Sequence, residues 1–321
     1  MSHTVTRQSP DPSGIDAAGP TIDWLIQKDQ WHPREDRRPD VRVRPPVLLT
    51  IVIPTRDRPE QLSRVLFSLG ELSGTVEIIV VDDASLPQNS RRNRGLCTRL
   101  DGCRYEYLPT PRGASAARNR GFMRGGGAYI WFLDDDDYLT PRTVRDVLCK
   151  VELRSDERIL LLPRMIVQHG ALMRLDVPAD EPDKWDRYRR VGIEVTTSCA
   201  VFPRDVLLRL QGWDESLPAL QDTDLFLRAA RIASFALVET EPVRVDVSAP
   251  ARITNSFARS QIGKFKFLRK HWRILPPRRR LRYLVQIVGC SPLFRSLRAQ
   301  RRYEEMRRRC FPMDPSPATR H

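Results

Sequence analysis

Paired cysteines, clustered histidines and long apolar runs are all missing from this sequence. Its six cysteines (Cys97, Cys103, Cys149, Cys199, Cys290 and Cys310) are scattered, with no C-x-x-C pair and no histidine cluster beside them. That spacing speaks against a zinc site and a disulfide framework, and fits a reducing cytosol. No apolar run approaches the roughly 20 residues that a membrane-spanning helix needs. The polar, Pro-rich start lacks the charged-then-apolar pattern of a signal peptide, and no internal repeat is visible. The expectation is a soluble or peripheral protein of the cytoplasm.

The charge is unusual and unevenly placed. The 321 residues carry a net charge of +14. Residues 264–309 alone hold sixteen Lys or Arg against two Glu, which equals that whole excess. The rest of the chain is about neutral, so the basicity is expected to belong to a tail. A length of 321 residues suits one large domain or two smaller ones with a full core.

Residues 1–46 are rich in Pro, Asp and Arg with little periodicity, and read as a flexible extension with a short docking helix at 22–26. Order begins with a continuous β-branched strand at 47–53, followed by a helix with Leu62, Val65, Leu66 and Leu69 on one face behind Pro59. A second buried strand at 76–81 ends in Asp82-Asp83-Ala84-Ser85, and a short strand covers 104–108. A small-residue helix from Gly113, a Gly125-Gly126-Gly127 turn and an apolar strand at 130–133 come next. Val144, Val147, Leu148 and Val151 mark another helix, and strands are expected at 159–162, 195–202 and, at an edge, 235–238. Between them lie a loop at 213–218 and an amphipathic helix at 222–231 with Leu225, Phe226 and Ala229 inward. Beyond Phe257 the chain reads as basic helices broken at Pro276-Pro277 and Ser291-Pro292. Strands and helices alternate, which predicts an α/β sandwich with a mainly parallel sheet.

The strand at 130–133 runs straight into Asp134-Asp135-Asp136-Asp137. Four adjacent carboxylates repel one another unless water or a cation neutralises them. Mg²⁺ typically takes one or two carboxylates together with substrate phosphates, whereas a solvated acidic turn would need no ligand. In an open parallel sheet, loops after successive strands share one edge, where ligands collect. Pro54-Thr55-Arg56, Asp82-Asp83 and the acidic run all end strands and can converge there.

The order of these parts resembles family 2 glycosyltransferases, which have the GT-A fold. The matching residues are Ile51-Val52-Ile53-Pro54-Thr55-Arg56-Asp57-Arg58, Val80-Val81-Asp82-Asp83-Ala84-Ser85, and Gly113-Ala114-Ser115-Ala116-Ala117-Arg118-Asn119-Arg120-Gly121. They continue with Phe132-Leu133-Asp134-Asp135-Asp136-Asp137, and with Trp213-Asp214-Glu215 before Gln221-Asp222-Thr223-Asp224-Leu225. The resemblance covers about residues 47–231. It implies one α/β/α sandwich with a mixed, mainly parallel sheet and a basic helical C-terminal tail. Its boundaries would be an extension at 1–46, a nucleotide-sugar half at 47–150, an acceptor half at 151–250 and the basic region at 251–321.

The resemblance further implies inverting transfer of a sugar from a nucleotide diphosphate to a hydroxyl. Asp83 would accept hydrogen bonds from the base, in a pocket shaped by Pro54, Thr55 and Arg56. Arg118 would lie near the nucleotide and Asp134 toward the ribose, with Asp135 beside it. Asp136, with Asp137 sharing the ion, would hold Mg²⁺ or Mn²⁺ on the diphosphate, and Asp222 would be the catalytic base. Each residue also has an ordinary structural role to fill: Asp83 in a turn or cap, Arg118 on a solvated helix, and Asp222 or Asp224 in a helical first turn that favours acids. Gln221 stands where the family more often has Glu.

Other classes fit less well. A nucleotidyltransferase would want a Gly-rich basic loop after its first strand, and a phosphatase using Asp as nucleophile would want D-x-D there. An inactive nucleotide-sugar-binding scaffold is the remaining alternative. Residues 264–309 suit peripheral contact with an anionic membrane at its inner face or a helical cap over the cleft; nucleic acid is an alternative that is not expected, and packing and solvation weigh above a membrane role. Processive synthesis is not expected, since membrane spans and a Gln-rich motif are both lacking. Acceptor choice is expected to sit in loops within 165–195.

Overall fold

The computed structural model describes residues 47–70, 72, 74–152, 158–168, 171–178, 195–247 and 257–288. All belong to one unit that begins at Arg44. The extension at 1–46 with its docking helix, the break at Ser291-Pro292, and Cys290 and Cys310 lie outside the described residues.

A seven-stranded sheet organises this unit. Its central strand β1 (Leu49–Thr55) is buried along its whole length, as expected of a continuous apolar run covered on both faces. The strands β2 (Val76–Asp83), β3 (Cys103–Leu108) and β4 (Tyr129–Phe132) follow, then β6 (Ile159–Leu161), β9 (Ala200–Pro203) and β10 (Phe235–Leu237). Their order is β10-β6-β9-β4-β1-β2-β3. Only β9 runs against its neighbours β4 and β6, so the sheet is mixed and mainly parallel.

Alternation along the strands makes two cores, one per face. Leu49, Ile51 and Ile53 point to the layer holding α1 (Pro59–Leu69) and, after the acidic run, α4 (Pro141–Glu152). Val52, Ile79 and Val81 point to the opposite layer, against α3 (Ala114–Arg124) and α6 (Gln221–Ala229). The expected α/β/α sandwich is what forms. The Gly125-Gly127 turn brings the chain onto β1 so closely that a Cβ at Gly127 would stand 2.6 Å from the Thr50 backbone nitrogen. Arg204, opening α5 (Arg204–Arg209), collects the carbonyls of Phe122, Gly125 and Gly127.

Three regions differ from expectation. The helix α2 (Pro87–Cys97) has almost no apolar period, and only Asn93 and Cys97 are buried; Pro87 in its first turn was the available signal. The strand expected over 195–202 is instead a 3₁₀ turn at Thr197–Cys199 followed by β9. The turn forms because the Trp131 indole donates to the Ser198 carbonyl at 2.8 Å, pulling the backbone out of the sheet. Part of the region expected as loops is a second sheet, in the order β5-β11-β7-β8. It joins β5 (Asp137–Tyr138), β11 (Val243–Asp246), β7 (Arg164–Gln168) and β8 (Ala171–Asp176).

The described part of the basic region, 257–288, is helical. Its helices α7 (Phe257–His271) and α8 (Pro277–Val288) break at Pro276-Pro277 as expected. They are not a solvated appendage. Phe267, Leu268 and Leu275 close a third core with Leu217 and Leu227, joined by Leu220, Ile274, Tyr283 and Ile287. The lysines and arginines of 257–288 occupy the outer faces of an amphipathic pair, so their share of the basicity belongs to the fold, while 289–309 lie outside the described residues.

Candidate active site

At the carboxyl ends of β1, β2 and β4 opens a cleft of about 840 Å³, whose far wall is the 215–222 segment and the start of α7. Pro54, Thr55, Arg56, Asp83, Arg118, Asp134, Asp135, Asp136, Asp137 and Asp222 all line it. Every residue that the resemblance implied for the site is therefore on one surface, although the parts differ in what they touch.

The strand exits are tightly tied. The Asp57 amide donates to Ser85 Oγ at 2.7 Å, and Asp57 Oδ1 accepts from the Leu86 amide at 2.7 Å, joining the ends of β1 and β2. Asp57 and Ala84 both hold positive φ, at 53° and 60°. Non-glycine residues pay for that conformation in strain, which clusters at functional sites. Asp82 is fully buried and takes hydrogen bonds from the Ser85 amide, Asn93 and Tyr105. Asp83 faces the cleft, and its two oxygens accept the Arg112 and Gly113 amides at 2.7 and 2.8 Å. It thus anchors the loop that starts α3 while keeping further lone pairs toward the cleft.

The four aspartates have four environments. Asp134 accepts from Arg118 at 2.5 Å, and its amide donates to Ser198 Oγ at 3.0 Å. Arg118 is buried, lies 4.6 Å over the Trp213 ring and has no hydrogen bond at Nε. Asp135 is buried between Thr55 Oγ1 at 2.8 Å and Arg58 at 3.0 Å. Burial pushes its carboxyl up to about 6, against the pull of Arg58 and Thr55. Asp136 is partly exposed, with Arg58 3.6 Å away. Asp137 is buried where β5 pairs with β11.

The far wall is fixed to α3 by a reciprocal clasp. Asn119 Oδ1 accepts the Trp213 amide at 2.8 Å, and Asn119 Nδ2 donates to the Trp213 carbonyl at 2.9 Å. Trp213 packs edge-on to Phe132 at 5.3 Å. Glu215 accepts from Asn119 and, at 2.8 Å, from Arg112. Leu220 precedes α6 with φ of 62°, which turns the chain so that Asp222 enters the cleft. Burial raises the Asp222 carboxyl above its ordinary range, against the Thr223 amide at 2.7 Å and the charge of Arg118.

Asp224 does something else. It is fully buried and bound by His271 at 2.7 Å, Lys270 at 2.8 Å and Arg228 at 2.8 Å. Burial alone would raise its carboxyl, but these partners outweigh it and hold it at about 2. Ser198, Arg58 and Arg259 were given no role from the sequence. Arg58 was visible in the first motif, but Ser198 meets the Asp134 amide only through a backbone turn, and Arg259 reaches the cleft only from a distant helix.

For a divalent cation, the chemistry of the donor set decides. Among the described residues no group of three His, Cys, Asp or Glu side chains forms a complete cage. Asp134 and Asp135 are engaged by arginines, and Asp136 reaches the open cleft. That partial set fits an ion that takes one or two carboxylates and draws its other ligands from substrate phosphates.

Comparisons with known proteins agree with this architecture. Residues 50–175 match the family "Glycosyl transferase family 2". An uncharacterized glycosyltransferase of Haemophilus influenzae is 24% identical over 135 residues, 42% of this chain, and the chain spans only half of that protein's length. The putative colanic acid biosynthesis glycosyl transferase WcaA of Escherichia coli K12 is 27% identical over 241 residues, which are 70% of this chain and 81% of that protein. Staphylococcus aureus TarS 1–349, solved in complex with UDP-GlcNAc, superposes with a TM-score of 0.56 at 15% identity, covering 76% of this chain and 82% of that one. No helix among the described residues is long and apolar enough to cross a membrane. With its five motifs gathered on one cleft of a mixed, mainly parallel sheet, this chain has the GT-A fold of these neighbours, and its residues 50–175 resemble glycosyltransferase family 2.

Proposed function

We propose that this chain is a metal-dependent inverting glycosyltransferase that moves a sugar from a nucleotide diphosphate to an acceptor hydroxyl. The observation that carries the proposal is the pair Asp222 and Asp224. One is a desolvated carboxylate on the cleft with Asp83, Asp134 and Asp136; the other is consumed by internal ion pairs. The S. aureus structures with UDP-GlcNAc and with UDP support a nucleotide-sugar donor.

In this reading Asp83 accepts from the base, beside Pro54, Thr55 and Arg56. Arg118 and Asp134 flank the nucleotide, and Asp135 braces the strand exit through Thr55 and Arg58. Asp136, with Asp137 beside it, would hold Mg²⁺ or Mn²⁺, which supplies Lewis-acid stabilisation of the departing diphosphate. The acceptor oxygen attacks the anomeric carbon while its proton passes to Asp222. The bond from that carbon to the phosphate oxygen breaks, and its electron pair leaves with the nucleotide diphosphate. Burial suits Asp222 to the task, because a raised carboxyl is a stronger base.

The division at 150 between a donor half and an acceptor half is kept as part of this reading, as is a cytoplasmic site of action. Peripheral contact with an anionic membrane is supported by Ile262 and Phe265 on α7, Trp272 in the following turn, and Leu281 and Leu284 on α8, all exposed among lysines and arginines.

The test is nucleotide diphosphate release from a panel of nucleotide sugars with Mn²⁺, with and without chelator. Slow release from one donor, lost with chelator and in Asp136→Ala, is the expected result. Neither donor binding nor turnover anywhere on the panel would overturn the reading in favour of a scaffold.

A further inference from the structure

The cleft is lined by five arginines, and four of them have acidic neighbours. Arg58 meets Asp135 and Asp136, Arg112 meets Glu215, Arg118 meets Asp134, and Arg56 lies 3.9 Å from Asp57. Arg259 lines the same cleft, is exposed, and has no hydrogen bond or ion pair among the described residues.

Its position is heavily determined all the same. Arg259 stands on α7, which is bound to the segment that carries Asp222. Lys270 bridges Asp214 at 2.5 Å and Asp224 at 2.8 Å, His271 meets Asp224 at 2.7 Å, and Lys266 donates to the Ser216 carbonyl at 2.8 Å. At Gly263 the helix comes so close to the 219–220 backbone that an added Cβ would lie 2.8 Å from Ala219 Cβ and 2.9 Å from its carbonyl oxygen. The fold therefore holds one unneutralised guanidinium on the same cleft as the proposed base. It comes from the C-terminal helices, whereas Asp83 and the acidic run belong to the strand ends and Arg118 to α3.

We infer that Arg259 is a specificity residue for an acceptor that carries an oxyanion, phosphate or carboxylate, near the hydroxyl to be glycosylated. A planar guanidinium with several donors matches both groups, and holds them better than a neutral sugar. The inference rests on the glycosyl-transfer reading, since it takes the Asp222 wall to be the acceptor side.

The experiment is calorimetric titration of the full-length chain, saturated with Mn²⁺ and with UDP or dTDP, whichever binds tighter. The probes are glycerol 3-phosphate, glucuronate and, as neutral control, glycerol. One of the two anions is expected to bind where glycerol does not, which separates a phosphate from a carboxylate acceptor. Arg259→Ala should weaken that anion at least tenfold, Arg259→Lys should weaken it less, and neither should change nucleotide affinity. Anion binding that survives Arg259→Ala, or that is missing from the wild type, overturns the inference. Nucleotide binding that weakens in Arg259→Ala also overturns it, because it assigns the guanidinium to the donor. If neither nucleotide binds, the transfer reading fails by itself. The same titration on nucleotide-free protein then decides for Arg259 by whether anion affinity still depends on it.

Discussion

Asp222 and Asp224 lie two residues apart on one helix and are driven in opposite directions. Burial lifts the Asp222 carboxyl on the cleft, while His271, Arg228 and Lys270 overcome burial to hold Asp224 at about 2. The difference is geometric. Two residues along an α-helix turn a side chain through roughly 200°, so one carboxylate faces the cleft and the other faces the C-terminal helices.

Asp222→Asn should therefore reduce sugar transfer by about 10²- to 10⁴-fold, the usual worth of a general base. Nucleotide affinity should be unchanged. Because the Asp222 carboxyl is raised, the acid limb of the pH–rate profile should lie above the ordinary carboxylate range and be absent from the variant. Steady-state kinetics beside nucleotide titration check both points, and equal loss of binding and rate would refute the role.

Asp224 predicts a stability effect of the other sign. Its folded pKa is depressed to about 2, so its contribution is complete above the unfolded value near 3.9 and is lost as pH falls toward about 2. Asp224→Asn should cost about 3 kcal/mol near neutral pH, as expected for breaking a buried charge network. Urea unfolding at pH 7 and pH 3 should show the variant and the wild type converging at the lower pH. A constant gap would mean that packing, and not charge, accounts for the loss.

For Asp135 the linkage reverses. Its pKa is raised to about 6, so the stability it adds is present below the unfolded carboxylate value and is lost as pH rises through about 6. Asp135→Asn should flatten this part of the stability–pH curve while leaving the Asp224 slope in place. Thermal melts between pH 4 and pH 8 measure it.

Gly263→Ala should force α7 away from Ala219, since the new methyl carbon meets backbone as well as side chain. A destabilisation of about 1–3 kcal/mol is expected, typical of an overpacked contact. Acceptor KM should rise more than donor KM, because the displaced segment leads into Asp222. An unshifted Tm would show that the loop gives way freely.

Exposed apolar residues on the basic helices make a last prediction. Sedimentation with phosphatidylglycerol vesicles should exceed that with phosphatidylcholine, fall as salt rises, and weaken in a Phe265→Ser, Leu281→Ser double variant. Equal sedimentation with both lipids would leave these side chains without a membrane role.

Much of the fold was legible because it is carried by local patterns. The unbroken runs of β1 and β2, the Leu62-to-Leu69 face of α1 and the Pro276-Pro277 break are readable one segment at a time. The polar helix α2 was not, since its stability comes from burying Asn93 against Asp82 and not from an apolar stripe. The turn at Thr197–Cys199 was hidden too, because a β-prone string was overruled by one indole hydrogen bond from Trp131.

The sequence alone determined which residues meet at the sheet edge. A parallel sheet brings strand ends together whatever its side chains do, so Asp83, Asp134 and Asp136 were bound to share a cleft. Only the tertiary structure put Asp222 on the cleft and Asp224 in the interior, turned Asn119 into the clasp on Trp213, and brought Arg259 from the basic region to the cleft. Those outcomes depend on contacts spanning from 47 to 94 residues of chain, and no local pattern encodes where such distant groups land.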